Sequence, residues 1–355
     1  MSFGSAFTVG VEEELLLVDP LCGYGLSNSA AEVLRSAGLP SELASHEVYA
    51  CEVELRSPAC GDVGLAVESL RRGREALCHA GATLVGAGLH PSMEFGTAEL
   101  VDSPRYRRVH DEMRGLITRS PECALHVHIG MPDAETAVHA ANGMRVWLPL
   151  LQAVSANSPW WFGRDSGMAS SRWAMVRAYP GRGVPPVLAD YAAYEELVAT
   201  AGKAGGFADY TYLWWDVRPH PRHGTIEIRE MDAQSRSGHV QAVAALTHAL
   251  AILEAERPRH EHLPSEAIGW SVFRAARDGM DAEILDGSGE VLPVGVVLTG
   301  LLRKFADRTE SWATAAAEGA QRLLEDGSGS QAKRRTIERA GFGALLPALA
   351  ALTTA

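Results

Sequence analysis

Four short segments in which charged or imidazole side chains alternate with apolar ones constrain this chain more than any other feature. They read Val-Glu-Glu-Glu-Leu at residues 11–15, Cys-Glu-Val-Glu-Leu at 51–55, Leu-His-Val-His-Ile at 125–129 and Thr-Ile-Glu-Ile-Arg at 225–229. A period of two is typical of β-strands, in which residues two apart point to the same face of the sheet. The alternation therefore predicts three polar pairs, each on one strand face: Glu12 with Glu14, His126 with His128, and Glu227 with Arg229.

A sheet face that carries several carboxylates and imidazoles is costly, because desolvated like charges repel and an unpaired buried charge is strongly unfavourable. Any one such strand taken alone is more often a solvated sheet edge. Four of them in one chain, with their polar residues set between apolar neighbours, favour a cluster of divalent metal ions instead. Carboxylates in excess over histidines suit Mg²⁺ or Mn²⁺, and no cysteine pair has the C-x-x-C spacing of a structural zinc site.

Further motifs give these segments a wider context. They are Gly-Leu-His-Pro at 88–91, Ala-Ser-Ser-Arg at 169–172, Trp-Asp-Val-Arg-Pro at 215–219 and Gly-Ser-Gly-Ser-Gln at 327–331. Together with the four strand segments, they resemble the ATP-dependent carboxylate-amine ligases related to bacterial glutamate-cysteine ligase, which share the catalytic fold of glutamine synthetase. The resemblance runs from residue 7 to residue 331, which is nearly the whole chain.

The resemblance implies an α+β fold, namely a glutamine synthetase-like catalytic domain. In such a domain a curved, mainly antiparallel sheet forms a funnel for metal and ATP and is backed by helices. The pattern of the chain agrees, because its long helical stretches do not alternate strictly with strands as they would in a doubly wound sheet. We interpret residues 1–355 as a single domain of this kind.

Several helices can be placed from apolar periodicity and capping residues. The sequence predicts them at residues 62–79, 133–154, 240–254 and 343–352, with a short strand near 83–85. Asp62 is a suitable N-cap for the first helix, and Pro149 should bend the second.

Carried over position by position, the resemblance implies two groups of metal ligands. The group beside the carboxylate substrate would be Glu14, Glu47 and Glu54, and the group on the ion that bridges the ATP phosphates would be Glu12, His126 and Glu227. His128 and Arg229 would contact phosphate oxygens. The expected cofactors are therefore ATP and Mg²⁺, or Mn²⁺. Position 47 is Glu where relatives often carry Asp, which lengthens that ligand arm by one methylene.

The chemistry follows from the weakness of a carboxylate as an electrophile. Amide formation requires activation, and phosphorylation by ATP supplies it. Metal ions would neutralise charge on the γ-phosphoryl group, while His128 and Arg229 steady it. Arg172, Arg218 or Arg229 could bind the tetrahedral oxyanion or a second substrate carboxylate, because a planar guanidinium matches both, and each could equally be structural. A solvated helix face is expected for Arg105, Arg107 and Arg108.

The function that the resemblance implies is ligation of a carboxylate to an amine through an acyl phosphate. Glutamate and an amino acid such as cysteine are the default substrates. Two alternatives stay open: a phosphotransferase acting on a guanidine-type acceptor on a related fold, and a nucleotide-binding protein without enzymatic activity. The excess of carboxylates over arginines at the expected site favours the ligase, and the presence of all six ligands favours an enzyme.

Charge and cysteine content limit the partners. The formal net charge of −12 argues against a nucleic-acid backbone or an anionic membrane surface. The five cysteines are odd in number and irregularly spaced, which favours a reducing, cytoplasmic location over a disulfide framework. Neither a signal peptide nor a membrane span is expected. Small-molecule carboxylate and amine substrates are thus the expected partners, and homo-oligomerisation is left open.

Overall fold

The computed structural model describes residues 2–355. Its strands are β1 (Val9–Asp19), β2 (Gly25–Leu26), β3 (Ala44–His46), β4 (Glu52–Arg56), β5 (Leu84–Val85), β6 (Ala124–Gly130), β7 (Trp160–Trp161), β8 (Arg164–Asp165), β9 (Val217–His220), β10 (Thr225–Asp232), β11 (Glu283–Leu285) and β12 (Val291–Pro293). Its helices are α1 (Ala30–Ala37), α2 (Val63–His79), α3 (Pro104–Met113), α4 (Ala134–Met144), α5 (Leu148–Ser155), α6 (Ser171–Val176), α7 (Tyr191–Gly205), α8 (Ser237–Glu256), α9 (Ser265–Asp278), α10 (Val294–Ala306), α11 (Ser311–Asp326), α12 (Gly329–Ala340) and α13 (Leu345–Thr353).

One large sheet organises the molecule. It contains eight strands in the order β3-β4-β1-β6-β10-β9, with β2 and β5 also paired to the long central strand β1. Every pairing in this sheet is antiparallel. The alternating segments form β1, β4, β6 and β10, so the strand prediction is confirmed, as is an α+β fold built on an antiparallel sheet.

The register of this sheet brings the polar residues of different strands side by side. Glu12 on β1 is the cross-strand partner of His126 on β6, and Glu14 is the partner of Glu54 on β4. Cross-strand partners have Cβ atoms only about 5 Å apart, so their side chains can meet on a shared face. The polar stripe predicted for each strand therefore becomes a polar surface that crosses several strands.

Helices cover the opposite face of the sheet. The 20-residue helix α8 is buried on most sides, because it packs on β6 and is enclosed by α2, α4 and α11. On this face Glu13 accepts two hydrogen bonds from the guanidinium of Arg74 on α2, at 2.7 and 2.6 Å. Both side chains are buried. Glu13 points to the face opposite Glu12 and Glu14, and its bidentate pairing with Arg74 compensates its charge there.

The predicted helices are confirmed with one change. The Asp62 carboxylate accepts a hydrogen bond from the Leu65 amide at 3.2 Å and so caps α2. The helix expected over 133–154 is instead two helices, α4 and α5, joined by a 3-10 turn. Pro149 lies in the first turn of α5, where its missing N–H breaks no helical hydrogen bond, so the interruption precedes the proline. Among residues 2–355, no helix combines the length and apolar character needed to cross a bilayer.

Candidate active site

A cavity of about 430 Å³ opens on the polar face of the central strands. Carboxylates, imidazoles and guanidinium groups make up most of its floor. Every residue that the sequence marked as a candidate ligand or catalytic group lines it: Glu12, Glu14, Glu47, Glu54, His126, His128, Arg172, Arg218, Glu227 and Arg229. The predicted set is thus brought to one place, while the role of each member stays a prediction.

Three of these carboxylates form a compact group. Glu14, Glu47 and Glu54 each place one oxygen within 4.8 Å of the oxygens of the other two. Glu14 and Glu54 face each other across β1 and β4, and Glu47 follows directly after β3. Because a small divalent cation binds oxygen at about 2 Å, three oxygens at this spacing can share one ion. The first predicted ligand group is therefore geometrically possible.

The second ligand group differs from the predicted one in its histidine. Glu12, His128 and Glu227 have ligand atoms within 4.8 Å of one another, whereas His126 lies in another such group, with Glu12 and Glu54. Strand register is the reason, because Glu227 is the cross-strand partner of His128 and Glu12 that of His126. The Glu12 carboxylate lies between the two rings, 3.4 Å from His126 Nδ1 and 3.6 Å from His128 Nε2.

The electrostatics of the carboxylate cluster suit a bound cation. Burial, reinforced by the charge of Glu47, raises the pKa of Glu14 to about 7. Burial and the charges of Glu12 and Glu47 likewise raise the pKa of Glu54 well above its usual value. Carboxyl groups that resist ionisation because they are desolvated and repel one another become favourable when a divalent ion neutralises them. The donor set, rich in oxygen and containing no thiolate, fits Mg²⁺ or Mn²⁺.

The pKa values of the two histidines shift in opposite directions. Burial, together with the charge of Arg229, lowers the pKa of His126 to about 4, so its ring is neutral near pH 7. Burial also acts to lower the pKa of His128, but the carboxylates of Glu12 and Glu227 outweigh it and raise that pKa above its ordinary value. A neutral imidazole can bind a metal ion through nitrogen, whereas a protonated one donates hydrogen bonds to anions.

Arginines also line the cavity. The Nε groups of Arg172 and Arg229 are buried and have no hydrogen-bond partner among residues 2–355. Arg182 also lines the cavity, but its Nε lies 3.4 Å from Oδ1 of the buried Asp216. Among the same residues, His128 Nε2 is also buried without a hydrogen-bond partner. Buried donors are rarely left unpaired in proteins, so this arrangement points to a ligand with anionic oxygens. Phosphate and carboxylate groups have the required chemistry.

Arg218 interacts with the protein rather than pointing freely into the cavity. Its Nε donates to Glu227 Oε2 at 2.7 Å, and Nη1 donates to the carbonyl oxygens of Tyr210, Thr211 and Leu213. These contacts leave it little capacity to bind substrate directly. Its geometry is that of a residue that positions Glu227.

Some lining residues lie outside the alternating strands and were missed by sequence reasoning. Arg182 belongs to a Gly- and Pro-rich loop, and Glu122 precedes β6, where its carboxylate accepts a hydrogen bond from Tyr179 at 2.5 Å. No periodic signal marks such positions. Arg105 was expected on a solvated helix face; it is exposed but also lines the cavity, whereas the exposed Arg107 does not.

Known proteins are similar to this chain over most of its length. The sequence profile of glutamate-cysteine ligase family 2 matches residues 8–348. A relative from Rubrobacter xylanophilus is 36% identical over 357 residues, covering 95% of this chain and 92% of its own. The glutamate-cysteine ligase of Natronomonas pharaonis is 33% identical over 363 residues, covering 98% of this chain and 96% of its own.

A similar fold occurs in a solved structure. The crystal structure of glutamate-cysteine ligase from Francisella tularensis in complex with AMP superposes with a TM-score of 0.73 at 12% sequence identity, covering 100% of this chain and 89% of that one. At this identity the likeness concerns the fold alone. It confirms the predicted glutamine synthetase-like fold class.

Proposed function

Because the chain belongs to glutamate-cysteine ligase family 2, we propose that it is an ATP-dependent ligase that joins a carboxylate to an amine through an acyl phosphate. We assign glutamate as the carboxylate and an amino acid such as cysteine as the amine. One observation carries the proposal. A single cavity holds sets of carboxylate and imidazole side chains whose ligand atoms are close enough to bind divalent ions, and it also holds buried guanidinium donors without hydrogen-bond partners.

ATP and two sites for Mg²⁺, or Mn²⁺, belong to this proposal. The residues that would hold the ion near the substrate carboxylate are Glu14, Glu47 and Glu54, whose oxygens lie close together. Those that would hold the ion near the ATP phosphates are Glu12, His126 and Glu227, which line the same cavity. Such ions neutralise charge on the phosphoryl group during transfer. The placement of His128 close to Glu12 and Glu227 makes it an alternative nitrogen ligand for the second ion.

We favour His126 over His128 as the metal ligand because their pKa values shift in opposite directions. His126 is neutral near pH 7 and has a nitrogen lone pair available. His128, whose pKa is raised beside Glu12 and Glu227, is better suited to donate to an oxygen of the transferring phosphoryl group. Arg229 would act with it, because its unpaired Nε lies in the same cavity.

The covalent steps need no group beyond the two substrates and ATP. A carboxylate oxygen attacks the γ-phosphorus, the bond to the ADP oxygen breaks, and an acyl phosphate forms. The amine nitrogen then attacks the acyl carbon, phosphate leaves, and the amine loses a proton. Arg172 has an unpaired Nε that can stabilise the tetrahedral oxyanion or bind a second carboxylate of the substrate.

The alternative of a phosphotransferase acting on a guanidine is less well supported. That chemistry requires a pocket in which arginines dominate around the phosphates and an acceptor that bears positive charge. Here burial, reinforced by neighbouring carboxylates, raises the pKa of Glu14 and Glu54, which suits bound metal ions. The ligase would form an amide and release phosphate, whereas the phosphotransferase would leave a stable phosphorylated product.

Product analysis tests the proposal directly. The purified protein is incubated with Mg-ATP and pooled amino acids, and new amides, ADP and phosphate are quantified by mass spectrometry and phosphate assay. We expect amide, ADP and phosphate in equal amounts, with loss of all three in the Glu227→Gln variant. AMP with pyrophosphate would contradict γ-phosphoryl transfer, and a stable phosphorylated acceptor would favour the phosphotransferase.

A further inference from the structure

A second cavity of about 360 Å³ lies at the beginning of α8, where it meets α12 and α13. It shares no lining residue with the cavity described above. Among residues 2–355, Asp326 supplies the one carboxylate of its lining, so the charged lining is mainly basic. The basic side chains that line it are Arg236, Lys333, Arg335 and Arg339. The basic character of this cavity contrasts with the net charge of −12 of the whole protein.

The first turn of α8 supplies unpaired donors to this cavity. Its N-cap residue is Arg236, which makes no side-chain capping bond. Within residues 2–355, the amides of Ser237 and Gly238 donate no hydrogen bond to protein. The first N–H groups of a helix lack intrahelical acceptors and carry partial positive charge, so they bind anions when no side chain caps them.

A buried imidazole in the same turn independently points to a ligand. His239 lines the cavity, is 6% exposed, and its Nε2 has no hydrogen-bond partner among the described residues. Asp326 Oδ2 lies 3.6 Å from Nε2, a long ion-pair contact that leaves this nitrogen without a hydrogen bond of normal length. Buried polar atoms are rarely left in this state, so His239 Nε2 is available to an occupant of the cavity.

More cationic groups lie at the rim. A Cβ atom added to Gly238 would lie 3.3 Å from Nη1 of Arg322, which places that guanidinium beside the first turn of α8, although Arg322 does not itself line the cavity. Arg236, Arg322 and Arg339 are exposed and form no ion pair with any residue in 2–355. On the floor, the amino group of the buried Lys333 donates to the carbonyl oxygen of Asn157, and burial lowers the pKa of Lys333 to about 7. The excess of positive charge at this cavity therefore comes mainly from the arginines.

We propose that this cavity is a binding site for a phosphate group, as inorganic phosphate or as a monoester of a small metabolite. The excess of cations over the one carboxylate matches a dianion better than a single negative charge. Phosphate oxygens can accept from the α8 amides and from the rim guanidiniums together. A monoprotonated phosphate also has one O–H, which suits the buried Gln234 Oε1, an acceptor of this cavity that lacks a partner within residues 2–355.

Titration calorimetry with potassium phosphate tests the proposal. The variant is Arg236→Gln/Arg339→Gln, which removes two exposed arginines that line the cavity. The matched control is Arg164→Gln/Arg303→Gln, which removes two exposed arginines that line neither cavity. Because phosphate can also bind in the first cavity, all proteins are measured in an Arg229→Gln background. We expect the rim variant to raise the Kd for phosphate at least tenfold and the control to leave it unchanged. Equal binding by both would overturn the proposal.

A second measurement locates the ligand without relying on the rim variant. The imidazole nitrogen signals of the wild-type protein are followed by NMR during addition of phosphate, with His239→Asn used for assignment. A shift of the His239 signals that saturates with the calorimetric Kd is expected. No shift at saturation would exclude this cavity as the site. Monoesters such as glycerol phosphate are compared with inorganic phosphate to distinguish the two sources, and tighter binding of succinate than of either would reject phosphate as the preferred group.

Discussion

The Nε of Arg218 lies 2.7 Å from Oε2 of Glu227, and the two residues are cross-strand partners on β9 and β10. Both side chains are almost completely buried. Arg229 donates to the other carboxylate oxygen, so two guanidiniums hold one acid. Burial alone would raise the pKa of Glu227, but Arg218 and Arg229 hold it well below its usual value. The acid is therefore ionised and oriented before any cation arrives.

Replacing Arg218 should therefore change the pH dependence of the reaction. In Arg218→Met the largest influence that lowers the pKa of Glu227 is lost while burial remains, so that pKa rises. Since the ionised acid is the form that binds metal, the acid limb of kcat/KM should move to higher pH by about one unit or more. The exposed Arg222 on the neighbouring turn provides the control Arg222→Met. An acid limb that stays in place would contradict the positioning role of Arg218.

The two metal groups should be separable by substitution of one acid from each. Glu227→Gln removes a charge from the ion expected on the nucleotide, so it should weaken Mg-ATP binding and phosphoryl transfer. Glu54→Gln should act mainly on the KM for the carboxylate substrate. Calorimetry with Mg-ATP, beside steady-state kinetics for the carboxylate, measures both effects. Unchanged nucleotide affinity in Glu227→Gln would count against the assignment.

The two histidines on β6 should respond differently to metal. His126→Ala should raise the Mg²⁺ concentration needed for half-maximal rate, and excess metal should partly restore activity. His128→Ala should lower kcat at every metal concentration, because it removes a donor that metal cannot replace. Metal titrations of the rate of both variants provide the comparison. Because both rings approach Glu12, equal rescue of the two would mean that they share one role.

Metal binding should release protons near neutral pH. In the metal-free protein the pKa of Glu14 is about 7, raised from an unfolded value near 4.5. An acid whose pKa is higher in the folded than in the unfolded state stabilises the fold. This stabilisation is fully present below the unfolded-state pKa and is lost as the pH rises through the folded-state pKa. The Tm of the metal-free protein should therefore fall between about pH 4.5 and pH 7 as a result of this group, and Mg²⁺ should oppose the fall.

Calorimetry of Mg²⁺ binding at pH 6.5 in buffers of different ionisation enthalpy measures the proton release. The Glu14→Gln variant is the control, since it cannot release this proton. Identical heats in the two buffers for the wild-type protein would disprove the expected coupling between Glu14 and the metal.

The Arg74–Glu13 pair behind the sheet should matter for stability rather than catalysis. Arg74→Met leaves the Glu13 carboxylate buried without its partner, which typically costs about 3–5 kcal/mol. Adding Glu13→Gln removes the unpaired charge and should recover part of that loss. Recovery is incomplete, because Arg74 also donates to three backbone carbonyl oxygens. Denaturant unfolding of both variants measures the difference, and a double variant no more stable than the single one would contradict this account.

The sequence by itself determined which polar side chains share a strand face. Period-two alternation is a local property of an extended backbone, so Glu12 with Glu14, or His126 with His128, could be paired without knowledge of the rest of the chain. The family resemblance then indicated which strands belong to one site. The helix cap at Asp62 was predictable for the same reason, because a cap depends on residues only three positions away.

Only the tertiary structure decided which residues of different strands meet. Glu227 lies opposite His128 and not His126 because of the pairing register between β10 and β6, and alternation within a strand carries no information about that register. Arg182 comes from an irregular loop, and Arg218 is committed to Glu227 and to backbone carbonyls. These features depend on contacts between residues far apart in the chain, which form only when the sheet and its covering helices pack together.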